Sequence, residues 1–349
     1  MELARAFINN AKENLIPLNS TIEITKSCNL ACMHCYNFDR RGKNTTHQIE
    51  MMQEDIAFNV IDQLTDLGCL FINLTGGEAL VHPGVFNIIS HIKNNHSVAR
   101  LKTNGILLST KIDKLKNHGL DEIDLSIYGA SEDTYEKFCH KRGFNKVKDG
   151  IESALRLDIH LTLNIVLHKY NVDELDTMIS MAHDYGLKPN ISTEMTARYD
   201  GTTSSTGLAV TKEQFQELLR SPYGEIFKVV KDDIEDLSCP CAITNCAIAA
   251  NGDVYPCIGA PIVAGNLKRS SLKHIWRASD VFDKIRNSSF KDYKKCSSCN
   301  IIKDCDRSSG SAYCNTSDYF APDPQSCAYA EIRSGKKVMF SNDLNDSHL

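Results

Sequence analysis

Three cysteines within eight residues, Cys28-Asn-Leu-Ala-Cys32-Met-His-Cys35, carry the first chemistry of this chain. Thiolates at that spacing can converge on one metal centre. A structural zinc closes a tetrahedron of four protein ligands. This stretch offers three, with His34 or His47 as the nearby candidates for a fourth. Three thiolates suit an iron–sulfur cubane, in which each holds one iron and the fourth iron stays open to a small molecule. A second group lies far down the chain: Cys239, Cys241, Cys246 and Cys257, then Cys296-x2-Cys299-x5-Cys305, then Cys314 and Cys327. Of fourteen cysteines, only Cys69 and Cys139 stand apart, beside apolar or aromatic neighbours, and both read as small buried hydrophobes.

Charge and hydropathy set the context. A net charge of -5 and a pI near 6.2 leave no basic face for nucleic acid. The lysines at 111, 114 and 116 and at 291, 294 and 295 read as solvated surface. No apolar run approaches the ~18 residues that span a bilayer. The first eighteen residues mix charged and apolar positions without the apolar core of a signal peptide. The chain is expected in the reducing cytoplasm, where clustered cysteines mean metal rather than disulfides.

The elements that must position these cysteines alternate. Strand-like segments cover 21–25, 70–75, 98–103, 122–127, 160–167 and 190–195, short and rich in β-branched or apolar residues. Helical segments lie between them at 53–67, 84–94, 111–118, 145–157 and 171–185. Gly68, Gly119 and Gly186 follow three of these as helix stops. Alternation predicts an α/β fold with parallel strands and right-handed crossovers, a partial (β/α)6 TIM-like barrel with its chemistry at the C-terminal strand ends. The expected organisation is a lead-in over 1–20, the barrel over 21–210 and a linking helix over 211–237. A cysteine-rich region with few regular elements over 238–330 and a polar tail over 331–349 complete it.

The C-x3-C-x2-C run after the first strand resembles the signature of the radical S-adenosylmethionine (SAM) superfamily. That resemblance implies a [4Fe–4S] cluster on Cys28, Cys32 and Cys35, whose open iron chelates SAM. One electron then releases a 5′-deoxyadenosyl radical that takes a hydrogen atom from a substrate. Further matches follow along the barrel. Thr75-Gly76-Gly77-Glu78 resembles the family's GGE element, which meets the SAM amino group, although Ala79 stands where the family usually has proline. Thr103-Asn104-Gly105 resembles a TNG element. Ser126 sits where the family uses a polar contact to the SAM ribose or carboxylate. Arg142-Gly143 resembles an RG step whose arginine meets the SAM carboxylate.

The distal cysteines resemble the SPASM extension of the same superfamily, which binds two auxiliary [4Fe–4S] clusters. Gly252-x4-Cys257 and the C-x2-C-x5-C element are both present, separated by Gly265-Asn266-Leu267 and Ile275-Trp276. The resemblance assigns Cys296, Cys299, Cys305 and Cys327 to the distal cluster. It assigns Cys257, and Cys246 with Cys239 or Cys241, to the proximal one. The family's remaining proximal ligand falls at Ser309. Three options stay open: Cys314 substitutes, the extra member of the 239/241 pair substitutes, or one iron is open. The cofactors implied are SAM and three [4Fe–4S] clusters, one SAM-binding and two auxiliary.

SPASM enzymes mostly modify peptides or proteins. The expectation is a ribosomal-peptide maturase forming thioether or carbon–carbon crosslinks, reduced by a flavodoxin or ferredoxin. Little sequence precedes the first strand, so a leader peptide would bind the enzyme itself or a separate protein. Sulfatase maturation is a weaker reading, because Ile258 replaces the aspartate those enzymes carry after the G-x4-C cysteine. A small-molecule dehydrogenase or epimerase is one rival; a non-catalytic pair of zinc ribbons is the other. Asp200, after the last strand, and Glu194, near that strand's end, are the candidate bases or substrate contacts.

Overall fold

A computed structural model describes residues 2–40, 50–229, 239–293 and 295–338. After helix α1 (Glu2–Glu13), five βα units, the fourth with two helices, and a sixth strand follow one another. Their strands are β1 (Asn19–Thr25), β2 (Phe71–Gly76), β3 (Val98–Thr103), β4 (Glu122–Ile127), β5 (His160–Val166) and β6 (Asn190–Ser192). Their helices are α2 (Glu54–Asp66), α3 (Val85–Asn94), α4 (Leu108–Asn117), α5 (Glu132–Cys139), α6 (Phe144–Arg156) and α7 (Leu175–Asp184). The six strands pair in sequence order, all parallel. The expected α/β partial barrel is therefore present. Alternation explains it locally: in β3, Ala99, Leu101 and Thr103 point into the core while Arg100 and Lys102 lean outward to Glu122 and Asp124.

The cysteine-rich region is more regular than its composition suggests. Its strand β7 (Asn245–Ile248) pairs parallel with β1, and β8 (Asp253–Tyr255) and β9 (Gly265–Asn266) extend the same sheet antiparallel. Helices α9 (Leu272–Ala278), α10 (Asp280–Arg286), α11 (Ser309–Thr316) and α12 (Pro324–Ser334) complete it. Trp276 of α9, fully buried, donates from Nε1 to the Leu15 carbonyl at 2.6 Å, anchoring this region beneath the barrel. A small second core of Tyr293, Ile301, Ile302, Ala330 and Val338 surrounds Cys296 and Cys305.

Two corrections concern helices. The helix expected over 211–237 is α8 (Lys212–Arg220) and stops there. Pro222 forces Ser221 into the extended region (ψ 166°), where no helix continues. Its expected later part, 230–237, lies outside the described residues, as does His47. The sixth strand, expected to reach 195, ends at Ser192. Beyond it, side chains replace a partner strand: Gln325 bonds the Thr193 carbonyl and the Met195 amide, and Asn315 accepts from the Ala197 amide. Among the described residues no helix is long and apolar enough to cross a membrane.

Candidate active site

The loop leaving β1 holds Cys28, Cys32 and Cys35, each partly exposed. Several N–H groups are aimed at their sulfurs. Leu30 N lies 3.4 Å and Asn104 Nδ2 3.8 Å from Cys28 Sγ, and Arg40 Nε lies 3.3 Å from Cys35 Sγ. The loop is pinned to the end of α5, where Ala31 N donates to Cys139 O and Met33 N to Phe138 O. Cys139, read from sequence as an isolated hydrophobe, bonds through its thiol to Cys32. Burial pushes Cys28 up to about 12, so a bound cation is what would hold it as thiolate.

Neighbouring strand ends close around this loop. Gly76 and Gly77 permit a backbone approach no side chain tolerates: a Cβ on Gly76 would sit 2.1 Å from Thr25 O, and one on Gly77 2.4 Å from Ser27 O. Glu78 is buried and points inward. Its carboxylate accepts from Leu80 N, Thr103 Oγ1 and Asn104 N at 3.0, 2.9 and 2.8 Å, welding the TGGE and TNG loops together. Asn104 Nδ2 also donates to Asn29 Oδ1 at 2.7 Å. Ser126, on β4, bonds Tyr128. Arg142 is not brought to this group: its side chain is 64 % exposed and paired with Glu136 at 3.3 Å. His34 stacks on Phe138 at 4.9 Å and faces Tyr128, and burial pulls it down to about 3.

Two arginines escaped the sequence reading. Arg40 caps Cys35 as described and donates from Nη1 to Lys26 O at 2.6 Å. Arg198 reaches back from the far edge of the barrel, giving Nε to Cys35 O and Nη2 to Met33 O. Neither sits in a motif, so periodicity and spacing held no signal for them.

In the distal region, Cys296, Cys299, Cys305 and Cys327 gather. Burial raises Cys327, and the other three thiols reinforce that shift. Cys239, Cys241 and Cys257 form a second group, with 2.9 Å between the first two sulfurs. Cys246 is not brought to it: that thiol lies 3.3 Å from Ser20 Oγ, beside Cys69. Among the described residues no three His, Cys, Asp or Glu side chains are arranged to hold a single metal ion, as a structural zinc requires. The donors gathered in each group are thiols, the ligand type an iron–sulfur cubane takes, and N–H groups meet those of the first trio.

A cavity of ≈320 Å³ opens beside the loop that carries the first trio, with Lys26 and Phe38 on its wall. Glu23, Asn37, Tyr199, Asp200, Tyr255 and Cys314 are among its walls. Asp200 is occupied in a turn, accepting from Thr202 N and Oγ1 at 2.9 and 2.7 Å. Glu194 lines a separate recess of ≈280 Å³. Desolvation there, with Asp323 and Asp306 adding repulsion, raises its carboxyl to about 7. A larger cleft of ≈620 Å³ beside Lys284 and Phe320 contains none of the cysteines.

Comparison with known proteins agrees with this geometry. Residues 22–182 match the Radical SAM superfamily, and residues 239–300 match SPASM, an iron-sulfur cluster-binding domain. The chain carries a radical SAM domain and a SPASM domain. It is a radical SAM enzyme, with SAM and iron–sulfur clusters as its cofactors. It is similar to the AdoMet-dependent heme synthase of Methanosarcina barkeri, 26% identical over 90% of this chain and 96% of that protein. The PqqA peptide cyclase of Gluconobacter oxydans is 26% identical over 81% of this chain and 82% of its own. Among solved structures, Streptococcus suis SuiB bound to precursor peptide SuiA superposes with a TM-score of 0.63 at 18% identity, over 87% of this chain and 75% of that one.

Proposed function

We propose that this enzyme cleaves SAM reductively on Cys28, Cys32 and Cys35 and oxidatively modifies a peptide or protein, forming a thioether or carbon–carbon crosslink. Bound together, a [4Fe–4S] cluster and SAM supply one-electron cleavage to a 5′-deoxyadenosyl radical that takes a hydrogen atom from the substrate. The observation that carries the reading is the ≈320 Å³ cavity, whose walls include Lys26, Asn37 and Phe38, which flank the first trio in sequence, and Cys314 of the distal cysteine-rich region. The residues supply position: Arg40 and Asn104 orient the sulfurs, and Glu78 fixes the two loops that face the cofactor. Cys296, Cys299, Cys305 and Cys327 would hold a distal auxiliary cluster, and the group around Cys257 a proximal one. The proximal cluster would serve as the sink for the second electron. A flavodoxin or ferredoxin would reduce the enzyme in the cytoplasm, and a separate protein could present the leader.

The peptide reading is supported by the PqqA peptide cyclase and peptide-bound SuiB likenesses. The nearly end-to-end match to a heme synthase favours a second reading, a small-molecule substrate of the porphyrin-precursor class. Anaerobic reconstitution with dithionite and SAM separates them. About twelve irons per chain are expected for three cubanes, with a mass change in a short peptide encoded beside the gene. Turnover of a metabolite with no peptide modified would sink the maturase reading. Replacing Cys28, Cys32 and Cys35 together by alanine should abolish 5′-deoxyadenosine release. Continued release would refute the site.

A further inference from the structure

Nine cysteines between residues 239 and 327 compete for the eight positions of two cubanes. Cys296, Cys299, Cys305 and Cys327 account for one site, leaving five candidates for the other. The fold removes one of them. Cys246 lies on β7 opposite Ser20 of β1, and its thiol is enclosed by Ser20 Oγ, Cys69 and the guanidinium of Arg286. Cys239, Cys241 and Cys257 meet elsewhere, as the Cys241 thiol bonds to both others. Ala242 N also donates to Pro256 O at 3.1 Å, holding the two loops together.

Helix α11 delivers the remaining thiol. Gly310 is pressed so tightly on the loop after Cys257 that a Cβ there would come within 2.4 Å of Gly259 O. Four residues further along the same helix face, Cys314 Sγ lies 3.6 Å from that same carbonyl. The helix is thus docked by its glycine so that its cysteine overhangs Cys257. Ser309, where the family would place a ligand, is engaged otherwise: its Oγ accepts from Arg307 Nη1 at 2.9 Å and lies 3.5 Å from Tyr293 OH.

We infer that Cys239, Cys241, Cys257 and Cys314 hold the proximal auxiliary cluster as a closed four-cysteine site, with Cys246 excluded from it. This rests on the reading above that the region carries two auxiliary clusters. The consequence concerns the substrate. A closed site has no vacant iron for the substrate to bind, so electrons cross to it without coordination. Cys314 also lines the ≈320 Å³ cavity, so the ligand itself is the wall between cluster and substrate.

The test uses the full chain reconstituted anaerobically. Cys246→Ala should keep about twelve irons and the electron paramagnetic resonance spectrum of the wild type. Cys314→Ala should lose the signal of one auxiliary cluster, with iron falling toward about eight per chain. Brief alkylation with iodoacetamide, read by peptide mass spectrometry, supplies a measurement on the wild type. Cys314 should be protected in loaded protein and labelled after iron is chelated. Alkylation of Cys314 in protein holding twelve irons would overturn the assignment. So would a wild-type spectrum from Cys314→Ala, or a cluster lost in Cys246→Ala. A wild type holding about four irons would instead overturn the two-cluster reading beneath it.

Discussion

The backbone N–H of Tyr199 donates to the carbonyl of Tyr36 at 2.7 Å, and their rings meet at 5.1 Å with a 56° tilt. Tyr36 follows Cys35 on the loop from β1, whereas Tyr199 follows the last barrel strand. The two edges of the partial barrel are therefore stitched together beside the first cysteine trio. Arg198 adds to the same seam through Cys35 O, Met33 O, Thr202 Oγ1 and Ser204 Oγ, at 3.1, 2.6, 3.1 and 2.5 Å.

Arg198→Ala should cost the first cluster. A buried guanidinium's bonds contribute roughly 1.5–3 kcal/mol each to a well-ordered site, and here two of them shape the ligand loop. Iron should fall from about twelve toward about eight per chain, with 5′-deoxyadenosine release lost. Arg198→Lys should not restore it, because one ammonium cannot occupy the fork's separate directions. Full iron in the alanine variant would disprove the role.

Arg40 tests the electrostatics of the same centre. Its Nε faces Cys35 Sγ, and a cation with an N–H directed at a ligand sulfur favours the reduced, more negative cluster. Arg40→Gln should keep the iron but move the first cluster's reduction to more negative potential. A redox titration followed by electron paramagnetic resonance reads this. An unchanged potential would remove Arg40 from the account.

Glu78→Gln probes how the cofactor loops are held. The carboxylate serves three donors while fully enclosed, and an amide keeps one acceptor oxygen and adds a donor facing N–H groups. Leaving buried donors unpaired costs about 1–3 kcal/mol each. A melting temperature several degrees lower is expected, together with weaker SAM binding. Thr103→Ala, which removes one bond, should fall between wild type and Glu78→Gln.

Much of this molecule was legible because its periodicities are clean. Strands β3 and β4 begin and end where their alternation does, and Gly68, Gly119 and Gly186 adopt the positive φ that ends α2, α4 and α7. Helix α5 was missed: its mean pattern is polar, and what holds it is Ser131 capping Thr134 N and the burial of Tyr135, Phe138 and Cys139. The surplus of cysteines was legible, but their partition was not. Cys246 and Cys241 sit five residues apart, yet strand pairing with Ser20 turns one toward β1 while the other meets Cys257. Arg142 matched a motif and still faces solvent, because Glu132 and Glu136 of α5 hold it outside.

His168 gives a pH signature. Its ring stacks on Phe138 at 3.7 Å, Nε2 meets Tyr128 O at 3.1 Å, and burial lowers it to about 4 from its ordinary 6.5. The unfolded chain therefore binds a proton that the native state refuses between those values. Stability from this group is complete above about pH 6.5 and is lost as pH falls toward 4, a loss of about 3 kcal/mol. Imidazole signals followed by NMR should show His168 not titrating between pH 7.5 and 5.5. A midpoint near 6.5 would contradict the packing.

Glu23 is the carboxyl that faces the cavity from the barrel's own first strand. It is 2 % exposed, its Oε1 accepts from Asn37 Nδ2 at 2.8 Å, and burial raises its pKa against the pull of Asn37 and Lys26. The lysine beside it is already paired with Glu50 at 2.8 Å. Asp200, on the opposite wall, is locked in its turn by Thr202. A positioned, poorly solvated carboxyl in the substrate space is the group suited to accept a proton or fix a donor, an effect worth about 10²–10⁴-fold. Glu23→Gln should therefore leave iron content and substrate-free 5′-deoxyadenosine release near wild type while cutting product formation by about 10²-fold. Asp200→Asn should change product formation less than about threefold, since the turn and not the cavity uses that carboxylate. If Asp200→Asn were the crippled variant and Glu23→Gln the silent one, the wall across the cavity, after β6, would be the working side.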